Sequence, residues 1–595
     1  MKFLTNTSKK LTTLIILVFN VLIHAQHESL LKVKLSDQVS QSNQIVEGKV
    51  ISKSSFWDEA HQFIYTKQII EVYKVFKGEE VETIELITKG GIVGYDAIIV
   101  SHSLQLNEGD AGVFILDEII NSKNISIGSA SKLFTSKFES QGFYKYNIRK
   151  NIASNGTEIF EDIPNNFYKS LENQTQKSAV IIKNNNLNLN STLSGKVIQN
   201  NLVTNTTATM SSFNGKSYSA GTKSILTING TGFGDTKGSV SFSDADFGGY
   251  FYSEALSSEI LSWTDTKIEV EIPDTAGTGY VKVNTMDNGT VTSSEKLIVD
   301  YAEINLDYNG NSYQTQHVDK NGNGGYTWQM NQEFYESDAN QAFTRALNTW
   351  KCGTGINWDI SAELTSVTKY NSYDNVNSII FSDDLGGTVL GQCYSRYAGC
   401  AEGSKIVWYV VELDIVFNRS INWNYSTSPP ESNQIDFESV TVHELGHGHQ
   451  LGHVVNSNYI MNYSLSTGKY LRSLTAVDLE GGQDVQSRST SSEICGELSM
   501  VSASCSTLSN DEFELSSQFN IYPNPVESTL FIQNNENLNV HQITMHNIQG
   551  SVVFNQSLKN WNRTTEINVS HLTSGIYLLS IDTVHGTVRK KVLIK

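Results

Sequence analysis

Basic residues are scarce in this chain. Lys and Arg number 43 against 62 Asp and Glu, and the net charge is -19. A nucleic-acid surface needs clustered cations, so no nucleic-acid partner is expected. The acidic balance reads as solubility, with structural Ca²⁺ as a lesser option. Cysteine is scarcer: five in 595 residues, none before Cys352. In an exported chain, Cys393–Cys400 and Cys495–Cys505 would each close a short loop, leaving Cys352 over. Long apolar runs are missing as well. Leu11 to Ile23 is too short for a comfortable membrane span. With Lys2, Lys9 and Lys10 before it and Ala25 after it, it reads as a secretory signal over residues 1–25. Histidine is also rare, yet four of the 13 fall between His443 and His453.

What is present suggests about four domains. Residues 27–150 alternate as strands do, in "QIVEGKVISKSS" and "FIYTKQIIEVYKVFKG", and predict an all-β barrel or sandwich without a chemical constellation. Residues 151–206 are rich in Asn, Ser and Thr and read as a linker. Residues 207–302 form a second β module. Residues 303–510 mix α and β. There "DANQAFTRALNTW" puts Ala339, Ala342, Phe343, Ala346, Leu347 and Trp350 on one helical face, and a second helix starts at the N-cap candidate Asp436. Residues 518–595 return to β.

The histidine cluster lies on that second helix. Residues four apart share a helical face, so His443 and His447 point the same way and can grip one Zn²⁺. Glu444 can reach a water on that metal and has the chemistry of a general base. A catalytic zinc takes three protein ligands and keeps one open position. His453 offers the third ligand. His449 faces away if the helix continues. A downstream carboxylate, Asp478 or Glu480, is the alternative third ligand.

Three resemblances follow from quoted residues. His443-Glu444-Leu445-Gly446-His447, then His453 and Met461 in "YIMNYS", resembles the metzincin zinc proteases, most nearly the matrixin branch. This implies a metzincin-like α+β domain with Met461 as an apolar floor beneath the zinc. It also brings in Tyr463, which in some relatives stabilises the oxyanion. The chain departs from the pattern at Gln450, where the family's Gly adopts a left-handed turn; Gly448 or Gly452 could relocate that turn. The strand "VELDIVFN" (Val411 to Asn418) would be the edge along which substrate pairs. Matrixins often cap the zinc with a propeptide cysteine, and the absence of cysteine before Cys352 excludes that device in the N-terminal region. Second, Gly230-Thr231-Gly232-Phe233-Gly234, Trp263 and Ile272-Pro273 resemble the immunoglobulin-like IPT/TIG domains. Third, Tyr522-Pro523-Asn524-Pro525, Gly575-Ile576-Tyr577 and the terminal strand resemble the type IX secretion C-terminal sorting domain. That implies a Gram-negative source, passage through the type IX machinery, and release or attachment at the cell surface.

The expectation is therefore a multidomain chain, with an α+β metzincin-like catalytic domain flanked by all-β domains. It would be a secreted zinc endopeptidase acting on protein or peptide. Two rivals stay open: a surface adhesin built on a degenerate protease core, and a zinc hydrolase of a non-peptide surface polymer. The segment "DKNGNGG" (Asp319 to Gly325) begins like a calcium loop but has Met330 where a bidentate Glu belongs, so a plain turn is the preferred reading.

Overall fold

The structure is a computed structural model. It describes residues 32–119, 132–184, 208–369, 373–385, 389–463, 467–504, 518–534, 540–547, 551–557, 564–583 and 586–595. The expected signal at 1–25 and Cys505 lie outside the described residues. The chain divides into two compact units between Ala503 and Ser504. Among the described residues no helix is long and apolar enough to cross a membrane.

The N-terminal domain is built on a closed barrel. Strands Gln44–Trp57, Ile64–Lys77, Thr83–Lys89, Leu133–Thr135 and Ala111–Glu118 pair in that order, and the last pairs back to the first. Their alternate residues, among them Val46, Ile70, Leu86 and Phe114, fill the interior. The expected linker at 151–206 is corrected in its first part. Ile152–Ser154 and Ile159–Glu161 extend the barrel sheet, and Val180–Ile181 pairs with Ile64–Lys77. Ile163, Phe167 and Leu171, spaced four apart, bury one face against Val33, Leu35 and Tyr144. Polar composition masked that short apolar stripe.

Residues 209–303 form a sandwich of two four-stranded sheets, with Ser217–Ala220 and Ile298–Glu303 paired in a third sheet, around Leu226, Ile228, Phe242, Val270 and Val281. Its last strand, Ile298–Glu303, also pairs with Leu451–Gly452 of the mixed domain.

The mixed domain has a twisted sheet with Tyr326–Met330, Asn377–Ser382 and Lys405–Asn418 parallel, and Gly391–Glu402 antiparallel to Lys405–Asn418. The helix Ala339–Thr354 buries the whole predicted face from Ala339 to Trp350. Val411 to Asn418 is not an edge. It runs between Asn377–Ser382 and Gly391–Glu402 with every one of those residues buried. The edge expected from the resemblance is an interior strand here, and its acidic residues have buried partners: Glu412 pairs with Arg396 at 2.8 Å, and Asp414 accepts from the Ser378 hydroxyl at 2.6 Å. The rim of this domain's own strands is Gly391–Glu402. It is covered by a strand of the N-terminal domain, Asp96–Val100, paired antiparallel from Val100↔Tyr394 to Asp96↔Ala398.

The cysteine pairing also differs. Cys400 bonds Cys495, Cys352 is disulfide-bonded as well, and Cys393 is free and buried. Cys393 points into the sheet's buried face, whereas Cys400 lies on the partly exposed end of the same strand. Asp319 and Asn321 accept hydrogen bonds from the amides of Gly322, Asn323 and Gly325, which makes the "DKNGNGG" segment a self-bonded turn. By itself, the C-terminal unit pairs Phe519–Tyr522, Thr529–Asn534 and Thr564–Asn568 in one sheet and four strands from Val540 to Ile594 in another.

Candidate metal centre

The helix Phe437–Gly448 is buried along its whole length. Asp436 caps it, accepting from the Ser439 amide at 2.9 Å. His443 and His447 project from one face. Their Nδ1 atoms lie 2.8 Å from the Ile460 carbonyl and 2.9 Å from the Leu451 carbonyl. A carbonyl only accepts, so both Nδ1 atoms donate and both Nε2 atoms present lone pairs. Those Nε2 atoms face each other at 3.1 Å. Two lone pairs so placed repel unless a cation lies between them. Burial lowers His443 to about 3, against the pull of the Glu444 charge, and takes His447 well below its ordinary value. Both rings are thus neutral, the form that binds metal.

His453 is the third. Its Nδ1 bonds Asp246 Oδ1 at 2.6 Å, and its Nε2 is buried without a partner. An orphaned buried nitrogen beside two opposed lone pairs is what a zinc site looks like in its donors. Of the candidates for a third ligand, His453 has a ring nitrogen within 4.8 Å of those of His443 and His447, whereas Asp478 is committed to capping its own helix through Thr475 and to the Ile460 amide, and Glu480 is exposed.

The turn that delivers His453 is made by Gln450 itself, at φ +70°. Neither Gly448 nor Gly452 has a positive φ. The strain is offset locally. The Gln450 Oε1 accepts from Tyr397 at 2.8 Å and Thr315 at 3.0 Å, and its Nε2 donates to the Gly448 carbonyl at 3.0 Å. His449 turns away, with Nε2 2.9 Å from the Thr354 hydroxyl, among Trp350 and Trp358. Met461 lies under the helix: a Cβ at Gly446 would sit 2.2 Å from its sulfur. Tyr463 lines a cavity of about 640 Å³ together with His102, His447, His453 and Asp246.

Residues 322–486 match the matrixin family model. The chain carries a matrixin domain. Residues 520–595 match the secretion system C-terminal sorting domain, of the type IX kind, which marks the chain for export. Short stretches are similar to cyclomaltodextrin glucanotransferases. One, from Bacillus sp. (strain 1-1), is 38% identical over 68 residues, 11% of this chain and 8% of that enzyme. Another, from Niallia circulans, is 36% identical over 110 residues, 16% and 14% of the two chains. The chain spans at most 14% of the length of these relatives, and their activity stays theirs.

Beside the matrixin domain's three histidines stands a fourth, His102, from the N-terminal domain. Its Nε2 is 3.1 Å from Glu444 Oε1, while the Ser101 hydroxyl donates to Glu444 Oε2 at 2.9 Å. Burial pushes the Glu444 carboxyl up, but the His102 ring, the His443 ring and Ser101 outweigh it and leave it below its ordinary value. Asp246, Ser101 and His102 carry no local sequence signal. They reach the site only through the packing of three domains.

Proposed function

We propose that the chain is a secreted zinc endopeptidase. The observation that carries this reading is the set of three imidazoles, two buried with Nε2 lone pairs opposed at 3.1 Å and one partly buried with its Nε2 unpartnered, around a buried glutamate. His443, His447 and His453 would hold zinc through Nε2. Zinc there supplies Lewis acidity, which makes water nucleophilic at neutral pH and polarises a peptide carbonyl. Glu444 takes the proton of the attacking water and hands it to the leaving amide nitrogen. The water oxygen ends on the new carboxyl group and the proton on the new amine, so the peptide bond is hydrolysed. Tyr463, in the wall of the same cavity, supplies a hydroxyl to the oxyanion. With Asp96–Val100 displaced from it, the rim strand Gly391–Glu402 would pair with the substrate as an added strand.

Metal analysis and casein cleavage, with and without chelator, test this. One zinc per chain and chelator-sensitive cleavage support it. A chain that takes up no zinc sinks it and favours the adhesin reading.

A further inference from the structure

The four imidazoles of His102, His443, His447 and His453 each offer a nitrogen, and these nitrogens all lie within 4.8 Å of one another. The six distances between their ring centroids run only from 4.7 to 5.6 Å. Four points so evenly spaced are the corners of a near-regular tetrahedron. A structural zinc site is closed by four protein ligands, whereas a catalytic one keeps a position open.

We propose that His102 is a fourth protein ligand of the metal centre, and that the N-terminal domain thereby holds the peptidase latent. This rests on the zinc endopeptidase reading.

The placement of His102 is built from both sides. Before it, Asp96–Val100 is zipped to Gly391–Glu402, and the pairing continues: the Ser101 amide donates to the Cys393 carbonyl at 3.0 Å, and the Cys393 amide to the Ser101 hydroxyl at 2.9 Å. After it, Leu104 and Leu106 are sunk in the barrel core. Between these anchors His102 sits at φ +59°, a conformation that costs a non-glycine residue energy and is kept where surrounding structure imposes it. Its side chain is 2% exposed. Ser101 and His102 together engage both oxygens of Glu444. One segment therefore occupies the substrate edge, the open metal position and the general base at once. It does so without a thiol.

The test uses the full chain loaded with Co²⁺, whose visible spectrum reports its ligands. The chain is compared with His102→Gly, which suits the left-handed backbone, and acetohydroxamate serves as the exogenous ligand. The proposal expects no spectral shift in the parent chain and a clear shift in His102→Gly. Free imidazole should return the His102→Gly spectrum to that of the parent, a rescue that a purely structural role would not give. His102→Gly should also cleave casein many-fold faster than the parent chain. Identical spectra and equal acetohydroxamate shifts in both chains would overturn the fourth ligand while leaving the peptidase reading intact. Failure of both chains to bind metal would overturn the peptidase reading, and this proposal with it. If His102→Gly does not fold, His102→Asn, which also tolerates a positive φ, carries the same comparison.

Discussion

Asp246 accepts a 2.6 Å hydrogen bond from Nδ1 of His453, across 207 residues and a domain boundary. A sandwich side chain therefore fixes the tautomer and the aim of His453, the third zinc ligand in the proposed site. Asp246 is itself about half exposed, so its value lies in orientation more than in charge. Asp246→Ala should lower zinc affinity by about 10–100-fold, the usual cost of losing such a partner. Competition with a chromophoric chelator measures it. Unchanged affinity would mean that the backbone alone aims His453.

Gln450 replaces an expected glycine, and its side chain is what makes that tolerable. Gln450→Gly relieves roughly 1 kcal/mol of left-handed strain. It also gives up three buried hydrogen bonds worth about 1 kcal/mol each. The substitution should therefore destabilise, and Gln450→Ala, which keeps the strain and loses the bonds, should destabilise more. Thermal melting of the zinc-loaded chain gives the order. A more stable Gln450→Gly would contradict it.

Stability should fall with rising pH between 4.5 and about 7, in part through Glu303. Burial raises this carboxyl from 4.5 to about 7, against the Arg488 guanidinium at 2.8 Å. The folded chain thus keeps a proton that the unfolded chain has released, and raising the pH favours unfolding across that window. Glu303→Gln cannot titrate and should lose part of the slope. Urea midpoints at several pH values decide, and an unchanged slope would exclude Glu303 as a source.

Cys393 should resist alkylation in the native chain and react only on unfolding, since it is buried and its thiol is pushed up by burial. Peptide mapping without reductant should recover Cys400 joined to Cys495. That bond closes a loop of 95 residues, and breaking it should cost about 4–5 kcal/mol by chain entropy. A recovered Cys393–Cys400 peptide would contradict the fold at the rim strand.

The candidate metal centre is legible in the sequence where its geometry is local. His443, Glu444 and His447 follow from helical spacing, and the capped start at Asp436 follows from its side chain. The helix Ala339–Thr354 was legible for the same reason. What escaped is non-local. Nothing near His102 or Asp246 distinguishes them, because their roles exist only once the barrel and the sandwich close on the matrixin domain. The edge was expected at Val411 to Asn418 from the family resemblance alone, and no local pattern in the sequence marks Gly391–Glu402 as the rim instead. Residues 152–184 fall in a longer stretch whose Asn, Ser and Thr content reads as linker, and the stripe of Ile163, Phe167 and Leu171 is too short to stand out against it.

The most direct test of the central claim compares His102→Gly with the double variant His102→Gly, Glu444→Gln at equal zinc content. The account predicts casein cleavage by the first and none by the second, with zinc retained in both. Equal cleavage by the two, or none by either at full zinc occupancy, would contradict it.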